Sequence, residues 1–268
     1  MQLLKYLLTR LIGFCLIVYV LLLSYLYFNQ ESFIFQPSSL SADYQFKFDG
    51  SFEEINIPID NQTNLNGLLF KANHSKGLIF YLHGNAGALD SWGNIAEVYT
   101  KIGYDCFIPD YRGYGKSGGK IDSEPQFLND IDIAYQAMLK RYDEQKVVII
   151  GYSIGTGPAA ILTSKNHPKA LVLQAPYFNL TKLADDRFPF VPHFLYKYKF
   201  ATNEALVKIT APVYIFHGNK DQVIPYENSV QLQKLLKPLD LFTTLQGEDH
   251  IGINENPHFQ SVLAQLLK

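Results

Sequence analysis

The stretch that most constrains this chain is Gly151-Tyr152-Ser153-Ile154-Gly155, directly behind the apolar run Lys146-Val147-Val148-Ile149-Ile150. Ahead of it, Thr156 to Ser164 is a run of small and apolar residues that reads as a helix. A Gly-x-Ser-x-Gly pentapeptide between a buried strand and a helix marks a sharp turn that holds the serine hydroxyl above a sheet. Such a turn strains the serine backbone. The flanking glycines are needed because a Cβ at either position would collide with the adjacent strand or helix. The plainer reading is a Gly-rich connection carrying an ordinary serine, and the rest of the chain has to decide between the two.

From about Phe52 onward, strand-like and helix-like segments alternate. Glu53–Ile59 and Asn66–Ala72 read as two opening strands. Gly77–Leu82, Tyr104–Pro109, Val147–Ile150, Ala170–Gln174, Val213–Phe216 and Leu239–Leu245 follow as further strands, with helical patterns at Trp92–Lys101 and Pro125–Arg141. Continuous apolar strands are expected where both faces of a sheet are covered, so the pattern predicts an α/β fold. With 268 residues, 47% of them hydrophobic, one large domain is expected rather than two small ones. A net charge of -2 and the lack of a basic stripe argue against a nucleic-acid partner. The two cysteines, Cys15 and Cys106, fall in unrelated settings, so a disulfide between them is not expected.

Leu11 to Phe28 is eighteen residues without a charge, nearly enough helix to cross a hydrocarbon core of roughly 30 Å. Lys5 and Arg10 precede the run and Glu31 is the first charge after it. A basic flank stays cytoplasmic, which predicts a C-terminal domain on the extracytoplasmic side. A cleaved signal peptide would show a cleavage site of small residues soon after the apolar run, and Asn29-Gln30-Glu31-Ser32-Phe33 offers no such site, with Ser39 and Ser41 coming late. The expected organisation is therefore a cytoplasmic segment at 1–10, a membrane anchor at 11–28, a juxtamembrane linker at 29–51 and a domain at 52–268. Phe33-Ile34-Phe35 in the linker is expected to dip into the interface or pack on the domain. Between the sixth and seventh strands, Tyr177 to Phe200 breaks the rhythm with seven further aromatics from Phe178 to Phe200. This region, about 177–205, reads as a short cap lined by aromatics, or as an irregular helical cover for one edge of the sheet.

A serine nucleophile needs a general base, usually a histidine oriented by a carboxylate. Gly247-Glu248-Asp249-His250 follows the last strand pattern, and Phe216-His217-Gly218-Asn219-Lys220-Asp221 follows the one before it. Ser153, Asp221 and His250 thus occur in the order used by one class of serine hydrolase. His217 ends a strand, where its ring is expected to satisfy neighbouring backbone groups. His258 opens the terminal helix and is expected to be solvated. Asp249 cannot readily turn onto its own neighbour's ring. Two backbone N–H groups should face the oxyanion, that of Ile154 after the nucleophile and that of Asn85 in the loop His83-Gly84-Asn85-Ala86-Gly87. His83 is expected to be a structural hydrogen-bonder in that loop.

His83–Gly87, the segment Asp110-Tyr111-Arg112-Gly113-Tyr114-Gly115-Lys116-Ser117-Gly118-Gly119, Gly151–Gly155, His217–Asp221 and His250 together resemble the α/β-hydrolase superfamily. They are most similar to its membrane-anchored, short-cap branch related to bud-emergence-type hydrolases and protein depalmitoylases. The resemblance implies an eight-stranded, mostly parallel sheet with helices on both faces, and Ser153, Asp221 and His250 as triad. It also implies that the Asp110–Gly119 loop shapes the site without doing chemistry. The cysteine-rich N-terminus of the cytosolic depalmitoylases is replaced here by the hydrophobic segment. The expected function is hydrolysis of carboxylic esters or thioesters with an apolar acyl chain, with the lipid bilayer and a lipid-like ester as partners and with no cofactor. Peptide or amide cleavage is the alternative within enzymes. A non-catalytic binding protein on the same fold is the alternative outside them.

Overall fold

Eight strands form one sheet in a computed structural model that describes all 268 residues. They are β1 Phe52–Pro58, β2 Asn64–Phe70, β3 Leu78–Leu82, β4 Asp105–Pro109, β5 Val147–Tyr152, β6 Ala170–Gln174, β7 Val213–Gly218 and β8 Leu241–Leu245. Their spatial order is β8-β7-β6-β5-β3-β4-β2-β1. β2 alone is reversed, pairing antiparallel with both β1 and β4. The other pairings are parallel and need crossover connections, which the helices on both faces supply.

The apolar strands are continuous because alternate residues feed two cores. Val147 and Ile149 join one with Phe80, Phe107 and Leu171. Val148 and Ile150 join the other with Ile79, Cys106 and Val172. β5 lies at the middle of the sheet, in register with β3 at Gly151 opposite Leu82 and with β6 at Gly151 opposite Leu173. Such a central strand delivers its C-terminal residue to the crevice where ligands bind in parallel sheets.

The N-terminal helix runs from Gln2 to Phe28, so it begins nine residues before the expected span, and none of its residues is buried. At 27 residues it reaches about 40 Å, enough to cross a bilayer with some tilt. The expected linker is not a loose tether. Phe35 is buried among Phe127, Tyr198 and Phe200. Gln36–Pro37 pairs in parallel with Ala86–Gly87. Phe33 stays half exposed, so the Phe33-Ile34-Phe35 segment divides between surface and core.

Between β6 and β7 the chain forms the helix Leu180–Arg187, a 3-10 turn at His193–Leu195 and the helix Thr202–Leu206. Asn179 caps the first of these by accepting the Lys182 N–H at 2.6 Å. The aromatics of this region split into two sets. Tyr177, Tyr198 and Phe200 are buried and continuous with the core, whereas Phe188, Phe190 and Phe194 face outward. Tyr177, Leu180, Leu183 and Tyr198 of this segment line a cavity shared with Ser153, the residue after β5.

Candidate active site

Ser153 follows the last residue of β5 and sits at φ +53°, a left-handed conformation that costs a non-glycine residue on the order of 1–3 kcal/mol. Its neighbours show why the turn tolerates nothing larger than glycine. A Cβ on Gly151 would lie 2.5 Å from the Gly155 carbonyl oxygen and 2.7 Å from the Ala159 Cβ. One on Gly155 would lie 2.3 Å from the Leu82 carbonyl oxygen at the end of β3. Strand and helix therefore close on each other until only the serine side chain projects.

The Ser153 hydroxyl lies 2.9 Å from His250 Nε2, and His250 Nδ1 lies 2.7 Å from Asp221 Oδ2. An ionised carboxylate can only accept, so Nδ1 carries the ring proton and Nε2 is left to accept from the serine. All three residues are buried, each with only a few per cent of its surface exposed. His250 is also held at its backbone. Its carbonyl accepts the Tyr152 hydroxyl at 2.6 Å, and its N–H donates to Asp249 Oδ1 at 2.7 Å. Asp249 thus serves the turn and not the ring.

Asp221 is over-determined. Its Oδ1 accepts the N–H groups of Val223 and Ile224, each at 2.8 Å. Its Oδ2 accepts from His250 and, at 3.0 Å, from His217 Nε2. Burial alone raises a carboxyl pKa, but hydrogen bonds from His217 and His250, the charge of His250 and the Ile224 N–H outweigh it. The Asp221 carboxyl is held well below the usual carboxylate range. His217 corrects the sequence expectation. It does reach a backbone group, the Ile224 carbonyl at 3.0 Å, yet it also bonds Asp221 and accepts from the Ser229 hydroxyl at 2.6 Å. The signal was available: His217 and Asp221 are four residues apart at the end of one strand, close enough for a tight turn to bring them together. His258 is exposed at the start of the terminal helix Pro257–Leu266.

Asn85 and Ile154 line the same cavity as Ser153. The carbonyl of Asn85 accepts the Tyr114 hydroxyl at 2.7 Å and the Gln36 N–H at 2.9 Å, and that of Ile154 accepts the Tyr177 hydroxyl at 2.9 Å. Each residue is therefore held at its own carbonyl, one peptide beyond its N–H, by a buried tyrosine, a support that sequence reading did not identify. His83 is fully buried, with Nδ1 2.7 Å from the Gly84 carbonyl and Nε2 3.4 Å from Asp110 Oδ1. Burial pushes the Asp110 carboxyl up, and His83 and the Leu89 N–H pull it part of the way back. The Tyr111 hydroxyl donates to the His83 carbonyl at 2.8 Å. The Asp110–Gly119 segment thus buttresses the Asn85 loop from beneath.

Above Ser153 opens a cavity of about 210 Å³ with a predominantly apolar lining. The cap contributes Leu180, Leu183 and Tyr198. The N-terminal helix contributes Leu23 and Leu26, so the segment read from sequence only as an anchor also forms one wall of this cavity.

A family model described as the alpha/beta hydrolase fold matches residues 77–208. The lysophosphatidylserine lipase ABHD12 of Danio rerio is 29% identical over 230 residues, which span 74% of this chain and 59% of the relative. Alpha/beta hydrolase domain-containing protein 17B of Xenopus tropicalis is 33% identical over 176 residues, 62% of this chain and 59% of the relative. The chain thus spans less than two thirds of the length of these relatives. Among solved structures, the Pyrococcus furiosus esterase Pf2001 superposes with a TM-score of 0.68 at 18% identity, over 87% of this chain and 96% of its own. The matching family model and the shared architecture give the chain the α/β-hydrolase fold, and these relatives support its assignment to that superfamily.

Proposed function

We propose that the protein is a membrane-anchored serine hydrolase that cleaves carboxylic esters or thioesters with an apolar acyl chain. The observation that carries this reading is the unbroken hydrogen-bond path Ser153–His250–Asp221 ending in an apolar cavity. The lipase and hydrolase names of the relatives and the esterase of like fold are consistent with it.

In the first half-reaction Ser153 Oγ attacks the acyl carbonyl carbon while its proton passes to His250 Nε2. Asp221 stabilises the resulting imidazolium and keeps Nδ1 as the donor. The carbonyl oxygen becomes an oxyanion, which the N–H groups of Asn85 and Ile154 receive. One such donor is typically worth about 3 kcal/mol in the transition state. The intermediate collapses, the bond to the leaving oxygen or sulfur breaks, and His250 returns its proton to that atom. Water then attacks the acyl-enzyme carbonyl, giving a proton to His250. Collapse of the second intermediate releases the carboxylic acid and restores the Ser153 hydroxyl.

The same reading assigns the Gln2–Phe28 helix as a single membrane span. Lys5 and Arg10 at its start support a cytoplasmic N-terminus and an extracytoplasmic domain. Protease treatment of sealed vesicles tests this orientation, and a domain digested only from the cytosolic face would refute it. For the chemistry, membranes carrying the folded protein are treated with a fluorophosphonate probe, with Ser153→Ala as comparison. Labelling that depends on Ser153 is expected, and its absence would sink the hydrolase reading. Esters and thioesters of rising chain length, set beside aminoacyl anilides, then separate acyl-ester from peptide-like preference.

A further inference from the structure

We infer that the acyl chain of the substrate enters sideways from the bilayer, through a seam between the N-terminal helix and the cap. The substrate is then a membrane-resident amphiphile that keeps its tail in the leaflet while its ester or thioester bond is cut. The inference rests on the hydrolase reading and adds to it a route and a substrate class.

The helix presents a defined stripe to the cavity. Leu23, Leu26 and Tyr27 follow the spacing i, i+3, i+4, so they share one face, and with Gln30 just past the helix end they line the cavity that contains Ser153. Leu21 points the opposite way and is 63% exposed.

The depth of the cap along the helix is equally specific. The Tyr19 hydroxyl donates to the Phe190 carbonyl at 2.7 Å. Tyr19 lies nine residues before Phe28, about 13 Å further down the helix axis at 1.5 Å per residue. A hydrocarbon leaflet is only about 15 Å deep, half of the roughly 30 Å core. With Phe28 at the interface, the cap around Phe190 is immersed in acyl chains. Three apolar rings are exposed there, Phe188, Phe190 and, at 84%, Phe194, while the exposed polar neighbours Arg187 and His193 are engaged by the Val223 carbonyl and by Asp185. Facing water, the three rings would form an apolar patch without a partner.

The seam is polar at its other end. Gln30 Nε2 donates to the Leu195 carbonyl at 2.7 Å, and the Lys197 N–H donates to Gln30 Oε1 at 2.9 Å. Lys197 Nζ pairs with Glu31 at 3.2 Å, and the Tyr198 hydroxyl donates to the same carboxylate at 3.1 Å. Helix and cap are thus clamped by polar groups on the water side and meet through apolar side chains on the membrane side. An acyl chain lying along Leu23 and Leu26 passes from leaflet to nucleophile without exposing its methylenes to water.

The test uses the full chain in phospholipid nanodiscs and a hexadecyl fluorophosphonate bearing a diazirine at the far end of its alkyl chain. After the probe has reacted with Ser153, irradiation should cross-link the chain end to peptides containing Leu23–Ile34 or Phe188–Val191. Cross-links confined to the rest of the domain would overturn the inference and leave the hydrolase reading standing. Failure of the wild-type protein to label at Ser153 would bring down both. A second measurement compares kcat/KM for palmitoyl and butyryl esters. Leu26→Trp should lower the palmitoyl-to-butyryl ratio about tenfold or more, whereas Leu21→Trp on the lipid-facing side should leave it unchanged. An unchanged ratio in Leu26→Trp would count against the route.

Discussion

The turn at Ser153 and the seam above it are built on opposite principles. The turn is fixed by backbone. Gly151 and Gly155 sit where no Cβ fits, the serine is held at positive φ, and both Asn85 and Ile154 are pinned at their carbonyls by buried tyrosines. The seam is fixed by side chains. It relies on one glutamine, one ion pair and a stripe of leucines, with half-exposed aromatics at its edge. Reaction geometry tolerates errors of a fraction of an ångström, while an acyl chain needs only a dry surface of roughly the right width. On the proposed reading, the part that makes and breaks bonds is rigid, and the part that selects a tail is free to vary.

That contrast can be broken at several points. The largest effect is expected from Ser153→Ala, which should reduce ester turnover by about 10⁵-fold with little change in folding, measured by steady-state kinetics and thermal unfolding in detergent. Asp221→Asn should follow with a loss of about 10⁴ in kcat, because an amide no longer enforces the Nδ1–H tautomer of His250. It should also alter the response to acid. The folded-state pKa of Asp221 is depressed, so its stabilisation is present above the ordinary carboxylate range near 4 and is lost as pH falls below it. Unfolding midpoints measured downward from about pH 5 should drop more steeply for wild type than for Asp221→Asn.

Gly155→Ala tests the backbone side of the comparison directly. Its methyl would meet the Leu82 carbonyl, and a loss of about 3 kcal/mol in unfolding free energy is expected. His217→Phe removes one of the four donors to Asp221, which should lower kcat about tenfold while leaving KM within about twofold. Equal loss of activity and folded protein would instead assign His217 a purely structural part. The smallest effect belongs to Phe194→Ser at the cap edge, which should change unfolding free energy by less than about 0.5 kcal/mol because the side chain is already exposed.

The sheet is legible in the sequence because both faces of its inner strands are covered, which forces five unbroken apolar runs whose bounds lie within a few residues of the strands, while the edge strand Leu241–Leu245 is only partly buried. Ser153, Asp221 and His250 stand out because each follows a strand pattern, and parallel strands carry the residues after them to one edge. Less visible is what supports them. Nothing in the local pattern around Tyr114, Tyr152 or Tyr177 says that its hydroxyl reaches across the fold to a particular carbonyl, since partners separated by 20 to 100 positions leave no periodicity. The double use of the N-terminal helix is hidden for a similar reason. A stripe of leucines facing a cap and a stripe facing lipid are spelled with the same residues, and only the fold distinguishes them.

The short pairing of Gln36–Pro37 with Ala86–Gly87 has a mechanical consequence. Seven residues, Asn29–Phe35, separate the end of the N-terminal helix from Gln36, and five of those, Gln30–Ile34, are themselves helical. The chain leaving that helix therefore has almost no slack before it is riveted beside Asn85. On the proposed membrane-anchored reading, this makes the protein a fixed ruler between lipid and nucleophile. Bonds at one depth of the leaflet would then come within reach of Ser153, and those a few ångströms above or below it would not.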